Sequence, residues 1–175
     1  MSNILSIAQL GASVIREKSQ KVLQINSQKT QDFIDDLLLT CKEAKGMGIA
    51  APQVSNSERI FIMSSEPNER YPYAPKMEPT TIINPEIISH SENMKKDWEG
   101  CLSLPGLRAR VPRYHEVHVR YYDRDAKMVE QKFEGFLARI FQHEYDHLEG
   151  IVFIDRVEST KDIVMEKEFQ RLISE

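Results

Sequence analysis

Two histidines and a glutamate form the pattern in this sequence that is best suited to chemistry. His143, Glu144 and His147 stand in the order His-Glu-x-x-His. If the stretch is helical, the two imidazoles lie about 40° apart around the axis and about 6 Å apart along it, which suits two ligands of one metal ion. Glu144 then lies at the edge of that face, where it reaches a water on the metal without binding the metal itself. The alternative is a surface helix that carries two histidines by chance, because so short a pattern recurs.

A catalytic metal needs a third protein ligand, and Cys101 is the best candidate for it. It follows Gly100, and the only other cysteine is Cys41, which falls on the apolar face of a predicted helix. In a reducing compartment a lone thiol beside a histidine pair is more often a ligand than half of a disulfide. One cysteine and two histidines leave a tetrahedral metal one open position, as catalytic sites do. The other histidines lie in or beside polar, extended segments and are predicted to be surface residues: His90, His115 and His118.

An apolar stripe continues the metal face of the motif helix upstream. Phe136 and Ile140 precede His143 and His147 at spacings of four, three and four residues, which places all four on one side of a helix. An apolar pocket beside a metal would suit a substrate with a hydrophobic side chain. Phe136 and Ile140 could equally be core residues, and both interpretations can hold together.

Length and composition predict one globular domain over residues 1–175. The chain is 41% hydrophobic and 29% charged, and its 175 residues suffice for a substantial core. A net charge of −4 argues against a nucleic-acid surface or binding to anionic membranes. No run of residues would span a bilayer, and residues 1–11 lack the features of a signal peptide. The prediction is a cytoplasmic protein.

Helices are predicted on both sides of a region of strands. A short helix near Ser13–Lys18 precedes one that Ser27 or Thr30 caps, which runs to Lys45-Gly46. The motif helix opens at Gly135, and the tail from Ser159 is predicted to form a terminal helix that packs on a sheet. The extended segments lie between these helices: Arg59–Ser64, Thr80–Ile83, Glu86–Ser89, Lys95–Leu104, Val117–Tyr122 and Met128–Phe133.

Turn residues divide the strands. Residues 65–79 contain four prolines and are predicted to be a surface loop, Pro105-Gly106 a turn, and residues 123–126 the turn of a hairpin. Strands in the middle and helices elsewhere indicate an α+β fold with mostly antiparallel sheets packed around the central metal-binding helix.

Three separated stretches resemble the signature motifs of the peptide deformylases. They are Gly46–Gln53 (GMGIAAPQ), Glu99–Ser103 (EGCLS) and His143–Gly150 (HEYDHLEG). Their order and approximate spacing match as well. Shorter matches extend the resemblance to essentially the whole chain: Asn84-Pro85, Val111-Pro112-Arg113 and Leu137-Ala138-Arg139. Ile49 stands where the family usually has leucine, which is a conservative change, and segment 65–79 is variable in the family.

The resemblance implies a peptide-deformylase-like fold and a metal-dependent hydrolase. Such an enzyme removes the formyl group from the N-terminal formyl-methionine of newly synthesised polypeptides and releases formate. The resemblance also implies roles for residues. Cys101, His143 and His147 would bind the metal, and Glu144 would be the general acid/base. Gln53 and the backbone N–H of Leu102 would form an oxyanion hole, and five further residues would contact the substrate: Met47, Gly48, Gly100, Phe136 and Ile140.

One divalent metal ion per chain is expected. A thiolate ligand gives a soft, redox-capable site, for which the resemblance implies Fe²⁺, although the same ligands accept Ni²⁺, Co²⁺ or Zn²⁺. N-formylmethionyl nascent peptides are the expected partners, the protein is expected to be a monomer, and an encounter with the ribosome near the peptide exit is left open. Arg113 and Asp146 are expected to be structural.

A zinc metallopeptidase that cuts internal peptide bonds is the alternative function. Such enzymes usually take their third ligand from a downstream Glu or His. Glu149 is too near on the same helix and Glu158 follows a predicted helix end, so the upstream Cys101 fits better.

Overall fold

The computed structural model describes residues 2–69 and 71–174, and it confirms the predicted α+β fold with antiparallel sheets. One sheet has five strands in the order β1-β2-β3-β6-β7. Their bounds are Gly48–Ala50, Ile60–Ser65, Met77–His90, Glu116–Tyr122 and Met128–Glu134. The other sheet has three strands in the order β4-β5-β8, with the bounds Met94–Cys101, Leu104–Tyr114 and Ile163–Met165. The α-helices are α1 (Gln28–Glu43), α2 (Gly135–Leu148) and α3 (Glu166–Ser174).

Helix α2 lies at the centre of the molecule. Phe141 packs its ring against Phe61 of β2 at a centroid distance of 5.3 Å and against Phe133 of β7 at 5.6 Å. These side chains are 2% exposed or less, so the helix closes the core of the five-stranded sheet. It is buried on several sides, which fixes the direction of each polar side chain that it carries.

Helix α1 covers the opposite face of the five-stranded sheet. Ser27 caps it as predicted, because its side chain accepts a hydrogen bond from the Thr30 N–H. Ile34, Leu37 and Cys41 lie on the buried face, so the prediction that Cys41 is a core residue is confirmed.

The predicted turn at Pro105-Gly106 is wrong. Cys101 pairs with Leu104, so the chain reverses at the two residues between them. The ladder next pairs Glu99 with Ala109. Residues 105–108 therefore form a bulge in the pairing of β5 with β4, opposite Gly100, although Leu107 and Arg108 still pair with β8. Pro105 is tolerated there because it pairs with neither strand.

The tail differs from the single helix predicted from Ser159. Residues Ile163–Met165 form β8, which pairs with β5, and α3 begins only at Glu166. The β-branched Ile163 and Val164 suit a strand. Pairing with the free edge of β5 favours a strand here, although the apolar residues of the tail follow a helical period. The two strand segments predicted on either side of Asn84-Pro85 are one irregular strand, β3.

No helix among the described residues is long and apolar enough to cross a membrane.

Candidate metal centre and active site

Helix α2 and the end of strand β4 bring three metal-ligand side chains together. His143 and His147 lie one turn apart on α2 with ring centroids 5.1 Å apart, and Cys101 is the last residue of β4. The ligand atoms of all three residues lie within 4.8 Å of one another. Cys101 Sγ is 3.3 Å from His147 Nε2. This cluster is able to hold a metal ion, and its one thiolate and two imidazoles are a donor set that transition metals prefer.

Several other acidic and histidine side chains interact with partners outside the metal cluster. Glu149 forms ion pairs with Arg59 and Lys18, and Glu158 pairs with Lys96. His118 lies 3.1 Å from a carboxylate oxygen of Glu130. His90 stacks on Tyr114 at a centroid distance of 3.6 Å. The only metal-binding cluster found among residues 2–69 and 71–174 is that of Cys101, His143 and His147.

Glu99 holds His143 in position, a role that the sequence analysis did not assign. Its Oε2 lies 2.9 Å from His143 Nδ1, so Nε2 of the same ring is free to face the cluster. Arg113 donates to both carboxylate oxygens of Glu99, at 2.9 and 3.0 Å, and Arg139 Nη1 donates to Oε1 at 2.7 Å. The sequence signal that could have indicated this role is the position of Glu99 in the same motif as Gly100 and Cys101.

A buried network of charges extends behind Glu99. Arg113 Nη1 also donates to Asp146 of α2, whose other carboxylate oxygen accepts a hydrogen bond from Arg156 at 2.7 Å. The side chains of Arg113, Glu99 and Asp146 are 4–6% exposed. The prediction that Arg113 and Asp146 are structural is consistent with these contacts, which fasten β5 to the motif helix.

Two buried carboxylates in this region have opposite pKa shifts. Burial by itself would raise the pKa of Glu99, but the charge of Arg113 and hydrogen bonds from His143 and Arg113 hold it well below its usual range. Glu144 has no such ion pair, and burial raises the pKa of its carboxyl group to about 7. Its Oε2 is buried without a hydrogen-bond partner among the described residues. A carboxyl group that titrates near neutrality is suited to proton transfer.

Gln53 points into the site from the short helix that follows β1. Its Oε1 accepts a hydrogen bond from the Ala50 N–H at 2.8 Å, which fixes the amide. Its Nε2 lies 3.1 Å from Ser103 Oγ and 3.4 Å from Cys101 Sγ. Leu102 lies next to Cys101 in the turn between β4 and β5. Ser103, which is fully buried, orients Gln53, and the sequence analysis missed this contact.

Two glycines permit close approaches in the site. A Cβ atom at Gly48 would lie 2.3 Å from Oε1 of Glu144, and one at Gly100 would lie 1.9 Å from Nη1 of Arg108. Gly48 therefore makes room for the Glu144 carboxylate, and Gly100 makes room for a guanidinium.

Two of the five residues predicted to contact substrate, Phe136 and Ile140, lie in the N-terminal half of α2. Phe136 packs against Tyr71 and Tyr73 and lines a cavity of about 250 Å³. Ile140 is 7% exposed and belongs to the core, and Met47, which immediately precedes β1, packs on the same core. The cavity differs from the predicted apolar pocket, because its lining among the described residues includes neither Met47, Ile140 nor a side chain of the metal cluster. Its lining is largely charged or polar: Lys95, Asp97, Arg113, Tyr114, His115 and Arg139.

The polypeptide deformylase family matches residues 4–162. A peptide deformylase 2 from Nostoc sp. is 50% identical over 171 residues, which cover 98% of this chain and 96% of the relative. The chain belongs to the polypeptide deformylase family. A peptide deformylase 2 from Shewanella oneidensis is 40% identical and covers 94% of this chain and 90% of its own length.

Solved structures agree with this assignment. The crystal structure of a class I type b peptide deformylase from Acinetobacter baumannii with bound Met-Ala-Ser superposes with a TM-score of 0.88 at 43% identity. The matched region covers 90% of this chain and 100% of the Acinetobacter chain. As a deformylase, the protein is a metal-dependent enzyme that hydrolyses the N-formyl amide of nascent peptides. The predicted family and function are confirmed, and the metallopeptidase alternative is not favoured.

Proposed function

We propose that Cys101, His143 and His147 hold one divalent metal ion at the point where α2 meets the end of β4. The mutual distances of their ligand atoms, all within 4.8 Å, carry this proposal. Glu99 supports it, because a carboxylate on the remote nitrogen of a histidine fixes the ring for ligation. When bound, the metal would polarise the formyl group and acidify water as a Lewis acid.

Fe²⁺ is the proposed native metal. A thiolate among the three ligands makes the site soft, and such a site also accepts Ni²⁺, Co²⁺ or Zn²⁺. Oxidation of iron or of Cys101 would inactivate the enzyme.

Glu144 is the proposed general acid/base. Its raised pKa lets it exchange a proton near neutral pH. The carboxylate accepts a proton from the attacking water, and the same proton is passed to the departing amine as the C–N bond breaks. Formate and a peptide with a free amino group are the products.

Gln53 and Leu102 are the proposed oxyanion hole. Negative charge develops on the formyl oxygen during attack, and an amide N–H of Gln53 and the backbone N–H of Leu102 would stabilise it. Gln53 is suited to this because its Oε1 is already held by Ala50, so its orientation does not have to be acquired during the reaction. One of its N–H groups would donate to the substrate in place of Cys101 or Ser103.

The peptide is proposed to bind along Gly48 and Gly100. Strands β1 and β4 each lie at the edge of a sheet, and an extended peptide can add to such edges through main-chain hydrogen bonds. Gly48 adjoins Glu144, and Gly100 adjoins Cys101, so both edges border one site. The Met-Ala-Ser bound to the Acinetobacter enzyme is the peptide that remains after removal of a formyl group from formyl-Met-Ala-Ser.

The methionine side chain is proposed to enter the region of Met47, Phe136 and Ile140. Phe136 lines the cavity beside α2, and its ring packs with Tyr73 on the same wall. A thioether is polarisable and packs well against aromatic rings. The apolar stripe of Phe136 and Ile140 on α2, which continues the helix face of His143 and His147, would receive this side chain.

The working enzyme is proposed to be a cytoplasmic monomer with a single catalytic domain over residues 1–175. Its thiols support a reducing compartment, because Cys101 must remain a thiolate to bind a metal. Nascent chains would bring it near the ribosomal peptide exit.

The proposal is tested by metal analysis under anaerobic conditions together with formate release from formyl-Met-Ala-Ser. Glu144→Ala is expected to keep the metal and to lose turnover by several orders of magnitude, since proton transfer is lost. Cys101→Ser is expected to lose or exchange the metal. Cys41→Ser is the matched control, because burial raises the pKa of that thiol to about 12 and it lies outside the cluster.

Unchanged turnover in Glu144→Ala would remove it from the mechanism, and unchanged metal content in Cys101→Ser would remove that residue as a ligand. Cleavage of an internal peptide bond at a comparable rate would favour the metallopeptidase.

A further inference from the structure

The segment Ile163–Ser174 packs on the three-stranded sheet, although it lies beyond the residues that the family matches. Strand β8 pairs with β5, and Val164 lies opposite Arg108 in that ladder. Helix α3 starts immediately afterwards, at Glu166. This segment therefore reaches back to the bulge of β5 that lies opposite Gly100.

Arg108 is held by two residues of α3. Its Nε donates a hydrogen bond to Glu166 Oε2 at 2.5 Å, and its Cζ lies 5.3 Å from the ring centroid of Phe169. Phe169 is 1% exposed and packs edge-on against Trp98 of β4 at 5.3 Å. An ion pair and a cation–π contact thus fix one guanidinium, whose side chain is 9% exposed.

The held guanidinium lies against Gly100. A Cβ atom at residue 100 would lie 1.9 Å from Nη1 and 2.5 Å from Cζ of Arg108, so only a glycine leaves room for it. Gly100 stands between Glu99, which positions His143, and Cys101. Among the described residues, the hydrogen-bond partner of the Arg108 side chain is Glu166, on Nε, and neither Nη group has one. Neither Nη atom is among the buried polar atoms that lack a partner, so both remain accessible to an acceptor on a ligand.

We infer that the C-terminal segment is a positioning element of the peptide site. Glu166 and Phe169 hold Arg108 so that its Nη groups can donate to oxygen atoms of a peptide main chain that runs along Gly100. This inference rests on the proposed binding of the peptide at Gly100. Glu166 and Phe169 are positioning residues, because they act through Arg108. The contact between Arg108 and the peptide main chain lies away from the scissile amide, and its strength is the same in the ground state and in the transition state. Its loss is therefore expected to raise KM and to leave kcat unchanged.

The test compares three variants of the full-length, metal-loaded enzyme with formyl-Met-Ala-Ser as the substrate. Glu166→Ala removes the acceptor for Arg108 Nε. Glu166→Gln retains an oxygen acceptor of the same length and serves as the rescue. Glu168→Ala is the matched control on the same helix, because it breaks only an exposed ion pair with Arg171.

Glu166→Ala is expected to raise KM about tenfold, the effect of one weakened charge-assisted contact, with kcat and metal content unchanged. Glu166→Gln should restore most of the wild-type KM, and Glu168→Ala should match the wild type. An unchanged KM in Glu166→Ala, or an equal rise in Glu168→Ala, would overturn the inference. So would a fall in melting temperature without a change in KM. A wild-type enzyme that releases no formate would instead contradict the proposed function.

Discussion

The Glu144 side chain occupies space that is available only because residue 48 is a glycine. The carboxylate is buried, and its Oε1 and Cδ occupy space 2.3 and 2.6 Å from where a Cβ at Gly48 would be. No real Cβ contact is that short, so either the strand or the carboxylate would have to move.

Gly48→Ala is therefore expected to lower kcat about 10²-fold, because a small displacement of a catalytic group has an effect of this size. The metal content should stay unchanged, since the atoms nearest to a Cβ at residue 48 belong to Glu144 and not to a ligand side chain. Steady-state deformylation and elemental analysis of the same preparation measure the two quantities. A kcat equal to that of the wild type would mean that the Glu144 carboxylate has room to move without leaving its working position.

At the scale of elements, the site depends on how firmly β4 and β5 are fastened to α2. Glu99 of β4, Arg113 of β5 and Asp146 of α2 form one buried chain of ion pairs. Removing one member of such a chain leaves the other charges buried without compensation. The network therefore determines the orientation of His143 as well as the packing of the three elements.

Glu99→Gln is expected to weaken metal binding about 10- to 100-fold, because the neutral amide holds the remote nitrogen of His143 less firmly. Competition with a chelator measures the affinity. Glu158→Gln is the control, since that carboxylate pairs with Lys96 at the surface and is 64% exposed. Equal affinities for the two variants would show that the network serves stability alone.

At the scale of the whole molecule, Glu149 joins three parts of the chain. It follows α2 and forms ion pairs with Arg59 before β2, at 2.7 Å, and with Lys18 in the N-terminal arm, at 2.8 Å. Partial burial would raise the pKa of Glu149, but hydrogen bonds from Lys18 and Arg59 hold it below its ordinary value. A carboxyl group whose folded pKa is depressed stabilises the fold above its unfolded pKa and loses that contribution as pH falls through the folded pKa.

Glu149→Gln is thus expected to lower the free energy of unfolding at pH 7 by about 1 kcal/mol, a value reduced by solvent screening. The difference from the wild type should shrink in acid, below the ordinary pKa of a glutamate, and disappear once Glu149 is protonated. Urea unfolding at several pH values measures it. A difference that stayed constant from neutral to acid pH would show that the ion pairs are not its source.

Much of the fold and the central motif could be predicted from local sequence signals. The period of apolar residues predicted α1, the His-Glu-x-x-His motif predicted α2, and the alternation around residues 123–126 predicted the hairpin of β6 and β7. The spacing of His143 and His147 on a helix predicted their common face. The lone Cys101 completed the same cluster, because ligand chemistry limits the residues that can join two histidines on a metal.

The parts that could not be predicted depend on contacts between residues that are distant in sequence. The pairing of β8 with β5 links residues 107–109 to residues 163–165, and no local pattern distinguishes that strand from the start of a helix. The ion pairs of Glu99 and the hydrogen bond from Gln53 to Ser103 likewise need positions that only the folded chain supplies.

The sequence alone determined the family and predicted the three residues of the metal cluster, because residue type and spacing limit the possible ligands. It also predicted Glu144 as the acid/base, through the resemblance to the family. Tertiary structure alone decided that Glu99 orients His143, that Gly48 makes room for Glu144 and that α3 holds Arg108 against Gly100. Each of these depends on distances of a few ångströms between separate elements, which are fixed by the packing of the two sheets around α2.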